Sequence, residues 1–190
     1  MSDAPDPPAR RRIVLLAGIA AGVYLLDVLT KTLAVATLED RPPVALLGGA
    51  VNLVLLRNPG AAFSMATGYT WVLTLVALVV VGVIVRIARR LASPGWAIGL
   101  GLVLGGALGN LTDRVFRAPG PLQGHVVDMV SLFATDGSVW PVFNAADSGI
   151  VCGGILLVVM TLRGVEIDGT RTRSSRSAKS SGSSEEPAGG

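Results

Sequence analysis

An aspartate stands where an apolar membrane span should not have one. Asp147, in the run Phe143-Asn144-Ala145-Ala146-Asp147-Ser148, lies about one helical turn inside the last hydrophobic stretch of the chain. Upstream, Val126-Val127-Asp128-Met129 sets a second carboxylate among apolar residues. An ionisable group at membrane depth is costly, so by default it marks a functional site. Two carboxylates in one apolar site do not both ionise easily: one keeps a proton and the pair shares it. The charged member can deprotonate a water while the neutral member polarises an amide carbonyl. Peptide hydrolysis needs those two functions, with no metal and no covalent intermediate. Asn144, three residues before Asp147, falls on the same helix face and can orient a carboxylate. On spacing alone, the alternative of two unrelated polar contacts stays open.

The chain that must bring these groups together has 190 residues, 51% of them hydrophobic and only 15% charged. A soluble domain carries more charge. Four apolar stretches, near 13–33, 70–87, 96–111 and 142–162, each approach the length that crosses a bilayer. Arg10, Arg11 and Arg12 precede the first, Arg86, Arg89 and Arg90 join the second to the third, and Arg163, Arg171, Arg173, Arg176 and Lys179 follow the fourth. Positive residues stay cytoplasmic, so both termini point inward and the loops 34–69 and 112–141 point outward. The expected division is a disordered N-terminus over 1–12, a four-span domain over 13–162 and a disordered basic Ser/Gly-rich tail over 163–190. Ala34-Val35-Ala36 resembles a signal-peptide cleavage site, but Asp27 and Lys31 interrupt the approach to it. The basic tails suit anionic lipid head groups, and nothing indicates nucleic acid. With one cysteine, Cys152, and one histidine, His125, neither an internal disulfide nor a zinc site is expected. Cys152 reads as a small packing residue.

Other polar residues sort by position. Residues 42–57 are apolar but Gly-broken and too short to span, so they read as strand structure at the outer surface. Asn58-Pro59-Gly60-Ala61-Ala62-Phe63-Ser64 ends that strand, with small residues that permit close backbone approach. Gly101, Gly105 and Gly109 share one face of the third span, the spacing of close helix packing in lipid. Asp113 and Arg114 follow, either capping the exit of that helix or acting directly. Asp27 and Lys31, four apart in the first span, can neutralise one another, and an ordering role for that pair is favoured over catalysis.

Taken together, five segments in this order resemble signal peptidase II, the lipoprotein signal peptidase family of bacteria. They are Asp27-Val28-Leu29-Thr30-Lys31, Asn58-Pro59-Gly60-Ala61-Ala62-Phe63, the run Gly105–Arg114, Val126-Val127-Asp128 and Phe143-Asn144-Ala145-Ala146-Asp147. The resemblance covers about residues 13–162. It implies a mainly α membrane protein, four transmembrane helices with a small extracytoplasmic β-sheet cradle. It implies an intramembrane aspartyl endopeptidase of the bacterial cytoplasmic membrane that cuts prolipoproteins before a diacylglyceryl-modified cysteine. Carried onto this sequence, the catalytic dyad is Asp128 and Asp147. Asn58, Gly60, Asn110, Arg114 and Asn144 support the site, and Asp27 and Lys31 match the family's polar pair. No cofactor is implied, and the chain is expected to act as a monomer near the extracytoplasmic face. Met129, in place of an aromatic residue, and Pro59, in place of a small polar one, depart from the family pattern without touching the carboxylates.

Two rival readings follow from the same residues. Lys31 can in principle activate Ser64 as a serine nucleophile. Buried carboxylates in four spans also suit a proton-coupled transporter or an assembly factor, although the internal repeats usual in transporters are not visible.

Overall fold

The computed structural model describes residues 8–60 and 70–172. Four helices are long and apolar enough to cross a membrane: α1 (Pro8–Leu38), α2 (Thr70–Ile87), α3 (Pro94–Phe116) and α4 (Ala145–Leu162). Their outward faces carry Leu25, Leu29, Leu33, Val79, Val83, Val151 and Ile155, all exposed. Such faces suit lipid rather than water. The helix α3 is central: 44% of its apolar window is buried, against 11–17% for the other three.

Glycine explains how α3 takes that place. A Cβ on Gly101 or Gly105 would fall within 3 Å of the α1 backbone at Leu16 and Ala20, so this face of α3 lies directly on α1. Gly106 does the same toward α4 at Ala146, while Gly99 lies against the Leu157 side chain there and Gly153 of α4 answers, its Cβ position 2.7 Å from Gly99 O. Small residues on two faces let two neighbours approach one helix closely, a packing that does not depend on burying apolar area from water.

The third span is longer than the stretch 96–111 suggested. Ser93 caps it, accepting from Trp96 N at 3.5 Å, and Pro94 fills the first turn. The helix then runs on to Phe116, so Asn110, Asp113 and Arg114 belong to its last two turns rather than to a loop. Asp113 and Arg114 are buried, which weighs against the alternative that they merely cap the exit of the helix.

A three-stranded antiparallel sheet joins the ends of these helices, in the order β1 (Val44–Leu46), β2 (Val51–Asn58), β3 (Val126–Leu132). The first two strands occupy the segment expected to be extended. They are separated by a turn in which Leu47, Gly48 and Gly49 all have positive φ. The third strand falls in what reads as the second outer loop. It pairs with β2 so that Leu56 faces Asp128 and Asn58 faces Val126. Phe143 then pairs with Val130 through two hydrogen bonds of 2.9 Å, so the start of α4 is tied to β3.

The end of the bundle away from the sheet also differs from expectation. Residues 163–172, assigned to a disordered tail, fold as a turn closed by a Val165–Arg171 bridge. Ile167 O accepts from Ala92 N and Ser93 N at 3.0 and 3.1 Å, and Trp96 Nε1 donates to Val165 O at 2.8 Å. The Ile167 side chain packs against a core of Leu16, Ile84, Leu91, Ala97 and Leu100. At the same end α1 already begins at Pro8, and Arg12 Nε donates to Ala92 O at 3.2 Å. The readings of Ala61, Ala62, Phe63 and Ser64, and of the tail from 173 onward, lie outside the described residues.

Candidate active site

Asp128 sits in the middle of β3, only 1% exposed. Its Oδ1 accepts from Asn144 Nδ2 at 2.7 Å and its Oδ2 from Asn58 Nδ2 at 2.9 Å. Asn58 can reach it because it ends the neighbouring strand, and Asn58 Oδ1 in turn accepts from Gly60 N at 2.9 Å, fixing the turn. Burial pushes the Asp128 carboxyl up to about 7. The charge of Asp147 adds to that effect, while the Asn58 and Asn144 amides and the Lys31 ammonium oppose it.

Asp147 is the third residue of α4, and its position is set by a capping box. Asn144 Oδ1 accepts from Asp147 N at 2.9 Å, and Asp147 Oδ2 accepts from Asn144 N at 3.2 Å. Its Oδ1 accepts from Asn110 Nδ2, on α3, at 2.8 Å. Asn144 is therefore the cap of α4 rather than a residue on its face. From that place it holds both aspartates, one through its carbonyl and backbone and the other through its amide. Its Nδ2 also lies 3.2 Å from Asn110 Oδ1 and from Val127 O.

Behind the two aspartates lies a second polar layer. Lys31 Nζ is bonded to Asp27 Oδ2 at 2.7 Å, Asp113 Oδ2 at 2.9 Å and Asn110 Oδ1 at 2.9 Å. Asp27 Oδ1 accepts from Ala146 N at 2.9 Å, in the first turn of α4. Asp113 Oδ2 accepts from Val127 N at 3.1 Å, and its other oxygen pairs with Arg117. The Asp27–Lys31 pair expected within one helix is thus a triad that joins α1, α3, α4 and β3. Asp113 is the member that sequence reasoning left undecided. The signal for it was its place in a helix longer than the apolar window showed.

Asp128, Asp147, Asn58, Gly60, Asn110 and Arg114 line one end of a cavity of about 600 Å³. Trp140, Val142, Phe143 and Val151 supply an apolar wall, and the exposed Cys152 belongs to that wall rather than to a packed interior. Arg114 donates from Nη2 to Gly60 O at 3.0 Å, while its buried Nη1 has no hydrogen-bond partner among the described residues. Asn144 lies behind the cavity and Lys31 and Asp27 deeper still, so the structure gathers every expected site residue into one network but divides it into two layers. Among the described residues no group of three His, Cys, Asp or Glu side chains converges to hold a metal ion. The arrangement offers two carboxylates of unlike environment, held by neutral amides, at the head of an apolar cleft.

Comparison with known proteins points the same way. Residues 19–163 match the family described as signal peptidase (SPase) II. The lipoprotein signal peptidase of Rhodococcus jostii is 65% identical over 167 residues, covering 88% of this chain and 82% of that protein. That of Mycobacterium avium is 56% identical over 167 residues, covering 88% and 89%. Among solved structures, a bacterial membrane enzyme determined by the in meso method at 2.3 Å resolution superposes with a TM-score of 0.64 at 28% identity, covering 76% of this chain and 85% of that one.

Proposed function

The chain belongs to the signal peptidase II family, and we propose that Asp128 and Asp147 are its catalytic dyad, with Asp128 holding the shared proton. The protein is a membrane-embedded aspartic peptidase that removes signal peptides from prolipoproteins. The observation that carries the dyad assignment is Asn144, one residue that donates to both carboxylates, from its side-chain amide to Asp128 and from its backbone N–H to Asp147.

In this reading Asp147, at the first turn of α4 where the helix dipole favours negative charge, takes a proton from water. Asp128, buried and neutral, donates a hydrogen bond to the scissile carbonyl and polarises it. The hydroxide attacks the carbonyl carbon and the Asp128 proton passes to the carbonyl oxygen. Collapse of the tetrahedral gem-diol breaks the C–N bond as the proton gained by Asp147 moves to the leaving nitrogen and one hydroxyl returns its proton to Asp128, which leaves a carboxyl end and restores the dyad. Asn58 and Asn110 hold the carboxylates from either side. The cut falls before a cysteine carrying diacylglycerol. The lipid and the apolar wall of Trp140, Phe143 and Val151 hold the scissile bond at dyad depth, so confinement supplies much of the positioning. The arginines flanking the spans support cytoplasmic termini and a site at the extracytoplasmic face. The chain acts as a monomer amid membrane lipid.

A Ser–Lys mechanism is disfavoured. A lysine base must be neutral, and Lys31 makes three short contacts with two carboxylates and an amide oxygen, an environment that holds an ammonium.

The test is cleavage of a purified diacylglyceryl prolipoprotein peptide in detergent. Asp128→Asn and Asp147→Asn should each remove nearly all turnover while the protein unfolds as cooperatively as the native chain. Substantial cleavage by either folded variant overturns the dyad.

A further inference from the structure

We propose that Lys31 is a positioning residue for catalysis: its ammonium fixes which way the Asn110 amide points, and thereby keeps a donor on Asp147. The inference rests on the dyad reading and adds a residue that touches neither carboxylate of the dyad.

An ammonium has three hydrogens and no lone pair. Those of Lys31 go to Asp27 Oδ2, Asp113 Oδ2 and Asn110 Oδ1 at 2.7, 2.9 and 2.9 Å. Lys31 is 1% exposed, so it has nothing left for substrate or water. Of the three acceptors only Asn110 touches the dyad. A side-chain amide has an accepting end and a donating end, and the network decides between them. At Asn110 the oxygen faces two donors, Lys31 Nζ and Asn144 Nδ2. Turning the amide over would set N–H groups against an ammonium and against another amide's hydrogens, and would aim an oxygen at Asp147. The present orientation is the one that satisfies all three neighbours, and it sends Nδ2 to Asp147 Oδ1 at 2.8 Å. Asn144 cannot enforce this alone, since its Nδ2 also serves Asp128 Oδ1 and Val127 O with only two hydrogens.

Two carboxylates left buried without Lys31 would destabilise the fold whatever its catalytic role, so Lys31→Ala does not separate the possibilities. A variant that also removes the carboxylates Lys31 contacts does. Lys31→Met with Asp27→Asn and Asp113→Asn removes the lysine and both of its counter-charges, while the asparagine oxygens can still accept from Ala146 N and Val127 N. Cleavage of the diacylglyceryl prolipoprotein peptide is then measured in the native enzyme, this triple variant, Asn110→Ala, and all four changes together. If Lys31 acts through Asn110, the triple variant unfolds cooperatively and keeps the native KM, but kcat falls on the order of tenfold or more. Asn110→Ala then costs far less in the triple background than in the native one, because the two changes remove the same interaction. A triple variant with native kcat, or strictly additive losses, would show that the lysine merely balances charge.

If the triple variant does not fold, Asn110→Asp carries the test, since it leaves the buried ion pairs in place. Lys31 then holds one oxygen, and the oxygen facing Asp147 has no hydrogen to give. The expected result is collapse of kcat with a cooperative unfolding transition, and near-native kcat overturns the proposal. Failure here is distinct from failure of the dyad reading, which is judged on Asp128→Asn and Asp147→Asn alone.

Discussion

Gly106→Ala should disable the enzyme from a position that bears no functional group. An added Cβ would lie 2.3 Å from Ala146 O and 2.8 Å from Ile150 Cγ1. Carbon contacts settle near 3.5 Å, so α3 and α4 must part by roughly 1 Å at this level. The obstructing atom is backbone, in the first turn of α4, so no rotamer change relieves it. Asn110 lies four residues on from Gly106 and Asp147 one residue on from Ala146, so the separation falls on the 2.8 Å bond between them. Stretched by that much, the contact leaves hydrogen-bonding range. Misplacing a catalytic group by about 1 Å costs on the order of 10²-fold in rate, and overpacking of this kind destabilises by about 1–3 kcal/mol. The assay is kcat on the diacylglyceryl prolipoprotein peptide, beside thermal unfolding in the same detergent. Gly82→Ala and Gly154→Ala are the controls, since a Cβ there meets nothing within 4 Å. Native kcat and unfolding in Gly106→Ala would refute the claim that contact between these two helices sets the dyad geometry.

Other perturbations read the two aspartates and their link. Asp128 titrates near 7 in the folded chain against an ordinary 3.8, so between these values the folded state holds more protons than the unfolded one. The stability due to this group is therefore complete below about pH 4 and is lost as pH rises through 7, by about 4 kcal/mol at 1.36 kcal/mol per pH unit. Unfolding measured across that interval should show the decline, Asp128→Asn should flatten it, and a stability contribution that rises with pH would contradict the assignment. Turnover should fall above about pH 7 for the same reason, as the acid loses its proton. Asn144→Ala should lose about 2–4 kcal/mol, from the cap and from a buried Asp128 oxygen left without its donor. Asn144→Ser should restore the cap and part of that stability but not the rate, and full recovery of rate would show that the amide bridge is dispensable.

Much of this was legible in the chain, for reasons that differ by residue. Asp128 and Asp147 stand out because a carboxylate in an apolar run has no ordinary structural purpose. The spans follow from hydropathy, and the packing of Gly101, Gly105 and Gly109 follows from a spacing of four. What failed to show was polarity inside helices and pairing across sequence. The hydropathy of α3 drops at Asn110 and Asp113, so the apolar window ended before the helix did. Buried ion pairs with Lys31 and Arg117 offset the cost of carrying those groups inward. Strand β3 was hidden because its partner β2 lies some seventy residues away along the chain, and seven residues carry no period long enough to announce themselves. The turn at 163–172 was hidden by composition: its charged residues face outward, and Ile167 alone enters the core.

The division of the polar network into two layers has a chemical reason. A dyad works only while one carboxyl keeps its proton, and a cation in direct contact with either member favours full ionisation of both. The groups that touch Asp128 and Asp147 through hydrogen bonds are Asn58, Asn110 and Asn144, all neutral. They fix the carboxyl oxygens without supplying charge. The lysine stands one amide further back, beside two carboxylates of its own, so its field at the dyad is largely cancelled while its demand for an acceptor is passed on through Asn110. Moving the cation forward should therefore be worse than removing it. An Asn110→Lys chain would pair directly with Asp147, hold the dyad in its doubly ionised state and leave no acid to polarise the peptide carbonyl.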